Sequence, residues 1–423
     1  MRGRCGLSMD NRQKKLNIHH IGGRFGNGGF PHLARFERDM VRAFYDADTD
    51  CLEQIGENQK GSQAEVNIFP YCVGSNTGDG NGTFNVNYDP TSSSLYSYDP
   101  AYGSFYFFCY NHDFVVSETM RTMEKRELEV VNLDHLFNTG TIPASPPDFL
   151  SMDVQGAEYD ILQGAESLLE NNVLGLVLET WFHPVYQGQK VFGDISRFLS
   201  DRGYYFVKFL KTTEYSPYRS PVGLRGEGFQ VFSDALFMRR IDSLEALDEN
   251  RSKTDNMLTK LAFIAIVHGQ FEYGMECLRH INREDDSRYA PDDSVCDQFL
   301  HDLYNSASLM NQCYPKTFAE KYSFEVSKQR FAGRESMVKE AVGGEQKSPL
   351  RVRLWLRYVY PHIYSIAELY ELVLYRLWAP IASLVFFNSP VERVLHRYGL
   401  KKQARQLKKS RMVQTFFCIG TNK

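Results

Sequence analysis

The chain has 423 residues, a hydrophobic content of 43% and a formal net charge of −4 at pH 7. This length and apolar content suffice to bury a large core and predict two or three structural units. The eight cysteines are scattered, with no CxxC pair and no Cys/His spacing typical of a metal site. The composition therefore argues against a disulfide framework and against a zinc site, and it predicts a reducing, cytoplasmic environment.

The charge is unevenly distributed. Residues 351–423 carry 13 Lys and Arg residues against 3 Glu residues, a net charge of about +10. Since the whole chain has a net charge of −4, the preceding 350 residues carry about −14. An acidic body without a basic stripe does not suit nucleic acid as a substrate. The N-terminal stretch MRGRCGLSMDNRQKK has no apolar core long enough for a signal peptide.

Apolar, strand-like runs alternate with helical spacing in the first 240 residues. The helical spacing is clearest at 159–171 and 192–202, and Gly203 is a suitable helix stop. This alternation predicts an α/β fold, with a mostly parallel sheet covered by helices on both faces. The predicted strands are 16–23, 40–48, 66–74, 147–154, 173–182, 204–210 and 234–240.

The stretch 75–110 is rich in Gly, Asn, Ser and Tyr. A flexible linker is one interpretation, but the many aromatic residues argue against plain disorder. We predict a long, ordered loop that covers a site.

No strand pattern appears from 243 to about 332. We predict an N-terminal tail at 1–15, a catalytic domain at 16–242, a helical appendage at 243–332, a linker at 333–350 and a basic, helical tail at 351–423. Charges within the apolar part of the tail leave too short a run to span a bilayer. Its basic part, 391–413, has two interpretations: contact with an anionic membrane surface, or docking on the acidic body of this chain.

Glycines and acids follow the first, second, fourth and fifth predicted strands. In an open parallel sheet, ligands bind beyond the carboxyl ends of the strands. The first strand is followed by GGRFGNGG, which allows a close approach of backbone to ligand. Asp46 and Asp48 follow the second strand, where a carboxylate can accept hydrogen bonds from ribose hydroxyls. Helix capping is the alternative for these two aspartates.

Further acids and one histidine follow the fourth and fifth predicted strands. Asp153 and Glu158 flank Gly156, and Glu179 and His183 follow the next strand. Each has a structural alternative: Glu158 interacts favourably with a helix dipole, and His183 is compatible with an ordinary loop position. One site served by all four strand ends is the simpler account.

Two stretches carry a family resemblance. PDFLSMDVQGAEYDILQGAESLL and LVLETWFHPVYQGQKVFGDISRFLSDRGY resemble the FkbM family of S-adenosylmethionine-dependent methyltransferases. The resemblance implies a class I methyltransferase fold with a seven-stranded sheet over about 17–240. The matching residues are Asp153, Gly156, Glu158, Leu162, Gly164, Ala165, Glu179, Tyr186, Gly188, Gln189, Phe192 and Asp194.

The same resemblance implies a cofactor site for S-adenosylmethionine. The loop 22–26 would run along the methionine part, and Asp46 would hold the ribose. His20 stands where the family has an acid, and Gln155 stands where it has a glutamate. The predicted cofactor-binding residues are His20, Gly22, Gly23, Gly26, Asp46, Asp48 and Asp153.

Methyl transfer requires alignment of the acceptor and a group that takes its proton. Asp153 is the predicted base or orienting group, with Glu158, Glu179 and His183 as partners. The resemblance implies a small-molecule acceptor, by default a sugar or glycan hydroxyl.

Two competing interpretations remain. A nicotinamide or nucleotide-sugar enzyme would need GxGxxG directly after the first strand, which GGRFGNGG does not fit. A catalytically degenerate methyltransferase scaffold that serves binding or assembly is the second alternative, and the departures at His20 and Gln155 favour it.

Overall fold

The computed structural model describes residues 15–22, 29–75, 77–220, 227–247, 251–281, 294–308 and 389–407. By its contacts the chain divides into two compact units, Met1–Tyr304 and Asn305–Lys423. The domain boundaries expected from the sequence stay predictions.

Strands and helices alternate through the first unit, as the sequence predicted. The strands are β1 (Leu16–Gly22), β2 (Met40–Tyr45), β3 (Glu65–Phe69), β4 (Cys72–Val73), β5 (Thr77–Asn87), β6 (Tyr106–Cys109), β7 (His112–Val115), β8 (Thr122–Val131), β9 (Phe149–Asp153), β10 (Gly175–Trp181), β11 (Tyr204–Tyr215) and β12 (Phe229–Arg239). The helices are α1 (Thr49–Asn58), α2 (Val116–Thr119), α3 (Leu133–Asn138), α4 (Glu158–Gln163), α5 (Glu166–Asn171), α6 (Phe192–Asp201), α7 (Ile241–Glu245), α8 (Arg251–Val267), α9 (Phe271–Ile281), α10 (Val295–Ser308) and α11 (Pro390–Arg397). Three 3₁₀ helices occupy Ala34–Asp39, Pro90–Ser92 and Pro100–Tyr102.

The main sheet has seven strands in the order β11-β12-β10-β9-β1-β2-β3. The four pairs from β10 to β3 are parallel, whereas β12 runs antiparallel to both of its neighbours. The α/β fold is therefore confirmed and is consistent with a methyltransferase-like fold, with the correction that the sheet is mixed. Because β1, β2, β9 and β10 are parallel, their carboxyl ends meet at one edge.

Burial explains why the central strands read as continuous apolar runs. All seven residues of β10 are buried, as are the first six of β1. Strands covered on both faces need apolar side chains in both directions, so their sequences do not alternate. Helix α6 instead buries one stripe of three side chains and ends before Gly203, whose φ of +82° is the left-handed conformation that favours glycine. The buried stripe of α6 is Ile195, Phe198 and Leu199.

Three sequence predictions need correction. The predicted strand 66–74 is split into β3 and β4, since Pro70 lies between them and a proline has no backbone N–H to donate. The predicted loop 75–110 contains β5, which pairs antiparallel with β8, a strand absent from the predictions. The predicted helix 159–171 is two short helices, α4 and α5.

Helix α8 packs into the core of the first unit. Its residues Leu261 to Val267 are all buried, which is typical of a helix covered on every side. The ring of Phe263 lies 5.0 Å from that of Phe36. Lys260 donates from Nζ to both carboxylate oxygens of Asp148, at 3.0 and 2.8 Å. Asp148 directly precedes β9, so this ion pair fastens α8 to the start of a central strand.

The second unit contributes helix α11, and residues 401–407 are helical as well. Ser389 caps α11 by accepting a hydrogen bond from the backbone N–H of Glu392 at 3.1 Å. The predicted linker 333–350 and residues 351–388 and 408–423 of the predicted basic, helical tail lie outside the described residues. Across the described ranges, no helix has the length and apolar character needed to cross a membrane.

Replacement of Lys260 by methionine tests the buried ion pair. The side chains of Lys260 and Asp148 are only 10% and 12% exposed, so the substitution leaves a buried carboxylate without its cation. We expect a loss of roughly 3 kcal/mol in the free energy of unfolding, measured in urea at pH 7.

The exposed Lys190→Met variant is the matched control and should unfold at the wild-type urea concentration. Loss of Lys260 also raises the pKa of Asp148 further. The loss of stability in Lys260→Met should therefore become smaller as the pH falls toward 4. A Lys260→Met protein as stable as the control would show that the pair contributes nothing net.

Candidate active site

A cavity of about 590 Å³ lies at the carboxyl ends of β1, β2 and β9. Its volume is in the range typical of small-molecule sites. Its charged lining residues are four aspartates and one arginine: Asp46, Asp48, Asp50, Asp153 and Arg126. The cavity is therefore acidic and suits a ligand that carries positive charge.

Gly22 ends β1 on the floor of this cavity. Its φ is +73°, and a Cβ there would lie 2.2 Å from the backbone oxygen of Asp153. Only glycine allows the two strand ends to approach this closely. The predicted role of Gly22 in close backbone approach therefore has a geometric basis, whereas Gly23 and Gly26 lie outside the described residues.

The two aspartates after β2 have different positions. Asp48 is the N-cap of α1, and its Oδ1 accepts the backbone N–H of Asp50 at 3.1 Å. Asp46 accepts the backbone N–H of Asp48 at 2.9 Å and the thiol of Cys51 at 3.1 Å. The capping alternative thus holds for Asp48. Asp46 accepts one of these hydrogen bonds on each of its two carboxylate oxygens.

The opposite wall of the cavity comes from the stretch expected to be a loop. Phe84 and Val86 of β5 line the cavity with Leu95, while Arg126 comes from the neighbouring β8. Residues of this stretch line the cavity, but its main element is a strand and not the predicted loop, and its role over a functional site stays a prediction. The wall is apolar, and so it complements the acidic floor.

His20 lines the cavity from within β1. It is 6% exposed, and its Nδ1 lies 3.1 Å from the Oγ of Ser151. Burial lowers the pKa of His20 to about 4, so the imidazole is neutral near pH 7. His20 therefore does not provide the charge of the acid expected at this position, but it can still form a neutral hydrogen bond.

The side-chain amide of Gln155, a residue that also lines the cavity, joins two carboxylates. The Nε2 of Gln155 donates to Oδ1 of Asp153 at 2.8 Å and to Oε2 of Glu179 at 3.0 Å. The indole N–H of Trp181 also donates to Glu179, at 3.1 Å. Burial raises the pKa of Asp153 and raises that of Glu179 well above its usual value. Two buried acids so close together titrate as a coupled pair.

Glu158 is directed toward its own turn. Its carboxylate accepts the backbone N–H groups of Val154 at 3.1 Å and Gly156 at 3.0 Å. The side chain is buried, and burial raises its pKa to about 7. Glu158 therefore closes the turn between β9 and α4, and it is absent from the lining of the cavity.

His183 lies away from the cavity lining, half-buried beside aromatic rings. Its ring centroid is 6.1 Å from that of Tyr102 and 6.3 Å from that of Phe105. Of the predicted site residues, the cavity brings together His20, Gly22, Asp46, Asp48 and Asp153. The catalytic roles predicted for Glu158, Glu179 and His183 stay predictions.

Comparison with known families gives one match. Residues 52–206 match the family described as the methyltransferase FkbM domain. This match covers less than half of the chain and shows that 52–206 is similar to an FkbM methyltransferase domain. A search of the curated proteins found no match.

The FkbM domain covers the second half of the site. Asp153, Glu158, Glu179 and His183 lie within the matched residues, whereas β1 and β2 with their predicted cofactor residues precede them. The cavity therefore combines the FkbM domain with two strands N-terminal to the matched range.

Several cavity residues were not predicted from the sequence. Asp50 lies in the first turn of α1, whereas Phe84 and Val86 of β5 and Arg126 of β8 line the cavity through the β5–β8 pairing. Neither helical periodicity nor a short apolar run in the sequence marks β8, because most of its residues are exposed. Within the described residues, no group of three or more His, Cys, Asp or Glu could hold a metal ion.

Replacement of Gly22 by alanine should disrupt the cavity floor. The new Cβ would overlap the backbone of Asp153 and would occupy a left-handed conformation. We expect a loss of about 1 to 3 kcal/mol in the free energy of unfolding, measured in urea. Gly193→Ala is the control, since nothing lies near its Cβ within α6, and it should be neutral or slightly stabilising. Equal stability of the two variants would contradict the close approach of β1 and β9.

The raised pKa of Glu158 predicts a pH dependence of stability. The folded state holds this proton up to about pH 7, whereas the unfolded chain releases it near its ordinary pKa of 4.5. The associated stability is complete below about pH 4.5 and is lost as the pH rises through 7, up to about 3 kcal/mol. Glu158→Gln should remove this slope in urea unfolding measured from pH 4.5 to 8.

The control for that measurement is Glu170→Gln, on the exposed end of α5. It should keep the wild-type slope. A Glu158→Gln protein with the same slope as wild type would mean that Glu158 is ionised throughout.

Proposed function

We propose that this protein is an S-adenosylmethionine-dependent methyltransferase that methylates a hydroxyl group on a sugar, a glycan or another small molecule. The observation that carries the proposal is the position of Asp46 and Asp153. They follow β2 and β9 and line one cavity at the edge of the sheet where ligands of parallel folds bind. The FkbM domain supports the reaction class.

The residues of the cavity fit S-adenosylmethionine by their chemistry. This cofactor carries a cationic sulfonium and an ammonium group, and the acidic lining complements both. Asp46 lines the cavity after β2, where a carboxylate can accept hydrogen bonds from ribose hydroxyls, and Gly22 leaves room for a ligand close to the backbone. Phe84 and Val86 provide an apolar wall for a flat base. When bound, the cofactor supplies an electrophilic methyl group with a neutral leaving group.

The work of the protein is then positioning and proton removal. A hydroxyl acceptor has a pKa far above neutral and needs a base during transfer. Asp153 lines the cavity, and burial raises its pKa, which makes it a stronger base than an exposed aspartate. In this role Asp153 orients the acceptor hydroxyl and accepts its proton. Glu179 lies behind it, linked through Gln155.

The aromatic residues of 75–110 have a mainly structural role. Tyr96, Tyr98 and Phe105 pack against a buried cluster that includes Trp181 and Tyr186. They fix the wall of the cavity. Our proposal of a sugar acceptor therefore rests on the FkbM resemblance and not on these rings.

We also propose that the basic segment 391–413 makes a peripheral contact with an anionic membrane surface or a protein. The described part of this segment contains α11, which carries Arg393 and Arg397. Cationic side chains on a helix favour anionic surfaces.

Calorimetry with S-adenosylmethionine tests the proposal directly. We expect the wild-type protein to bind this cofactor and its demethylated product, S-adenosylhomocysteine, but not NAD. Binding of NAD would indicate a nicotinamide enzyme, and binding of none of the three would indicate a scaffold without catalysis.

Replacement of Asp153 by asparagine tests its role as base. Transfer to a screened hydroxyl acceptor should fall by about 10² to 10⁴, followed with a radiolabelled methyl group. Asp201→Asn, on the exposed end of α6, is the matched control and should keep full activity. Full activity of Asp153→Asn on its acceptor would exclude Asp153 as the base.

A further inference from the structure

Gln155 occupies an unfavourable backbone conformation directly after β9. Its φ is +56°, in the left-handed region that residues other than glycine rarely adopt. Such outliers persist only where the surrounding structure fixes them, and they occur preferentially at functional sites. The neighbouring contacts therefore have to account for this conformation.

The side chain of Gln155 uses every polar atom. Its Nε2 donates to Asp153 and Glu179, at 2.8 and 3.0 Å, and its Oε1 accepts the hydroxyl of Tyr186 at 3.0 Å. Its backbone oxygen accepts the hydroxyl of Ser94 at 2.8 Å. These contacts fix the amide in one orientation, since an exchange of its oxygen and nitrogen would place the oxygen against two carboxylates.

The surroundings of Gln155 are strongly acidic. The titratable and charged groups that face this network from the packed elements are Asp153, Glu158, Glu179, Asp234, Tyr186 and, beside Asp234, Lys211. A glutamate at position 155 would place three carboxylates in mutual contact. A neutral amide with two N–H groups can instead donate to both of its acidic neighbours.

We infer that Gln155 is a positioning residue, whose amide holds the Asp153 carboxylate ionised and turned toward the cavity while Glu179 remains buried behind it. Asp153 faces the cavity, and Gln155 acts through it. Tyr186 also donates to the backbone oxygen of Ser92 at 3.2 Å, so the same amide ties the 92–94 wall to the end of β9. The part of this inference that concerns cofactor binding rests on the proposed function.

The hydrogen bond from Gln155 lowers the pKa of Asp153 and so opposes the effect of burial. Its removal should raise that pKa. Gln155→Met keeps the length of the side chain and removes the amide, and Gln163→Met, exposed on α4, is the matched control. If Gln155 had a purely structural role, Gln155→Met would lower the free energy of unfolding by the same amount at every pH.

The first measurement needs no cofactor. The unfolding midpoint of Gln155→Met in urea should fall relative to wild type as the pH rises from 5 to 8, because the folded state then holds a proton that the unfolded state releases. When Asp153 is also replaced by asparagine, Gln155→Met should change the pH dependence of the unfolding midpoint much less. Parallel pH profiles of wild type and Gln155→Met would overturn the inference.

The second measurement is the affinity for S-adenosylmethionine by calorimetry from pH 6 to 9. Gln155→Met should bind more weakly than wild type at pH 6, by at most about 10-fold for each unit by which the Asp153 pKa rises, and should approach wild type at pH 9. A loss of affinity that does not change with pH would overturn the inference that Gln155 acts by positioning Asp153. If wild type binds no cofactor but the stability profiles still differ as expected, the proposed function fails and the positioning role stands.

Discussion

The hydrogen bonds from one amide to two buried carboxylates organise the site of this protein. Gln155 lies between Asp153 and Glu179, at the ends of the adjacent parallel strands β9 and β10. Burial of two acids this close together is costly unless each has a donor. One neutral side chain provides both donors, and its oxygen accepts from Tyr186. The direction of Asp153 toward the cavity depends on this arrangement.

Strand β9 is held at both ends by polar networks, and its residues between them are apolar except for Ser151, whose Oγ lies 3.1 Å from Nδ1 of His20. Asp148 precedes the strand and binds Lys260 of α8, while Asp153 ends it and binds Gln155. The four residues from Phe149 to Met152 are buried. Buried polar networks specify a unique arrangement when every member is satisfied. The two networks therefore fix the position of the central strand on which the cavity depends.

The cavity joins two parts of the chain with different chemistry. The acids that follow β2 and Asp153 at the end of β9 form its floor, and the β5 strand with Leu95 forms an apolar wall. The FkbM domain supplies the wall and Asp153, whereas β1 and β2 precede the matched residues. A charged floor and an apolar wall suit a ligand with one cationic and one flat apolar part. This division of the cavity fits the cofactor proposed for it.

The amino-acid sequence by itself determined the main α/β alternation and the acids at the strand ends. Continuous apolar runs mark strands that are buried on both faces, and the DVQGAE stretch marks the turn after β9. It did not determine β8, whose ten residues are largely exposed and lack an apolar run. Nor did it show that Glu158 bonds the backbone of its own turn.

Only the tertiary structure decided which of these residues meet. Asp153 and Gln155 are separated from Glu179 by more than twenty residues, and they touch because β9 and β10 are paired in parallel. His20 and Asp153 line one cavity through the pairing of β1 with β9. Local propensity acts over a few residues, whereas strand order and burial are set by the whole core. The sequence therefore identified the chemical groups of the site, and the packing of the sheet determined which of them are in contact.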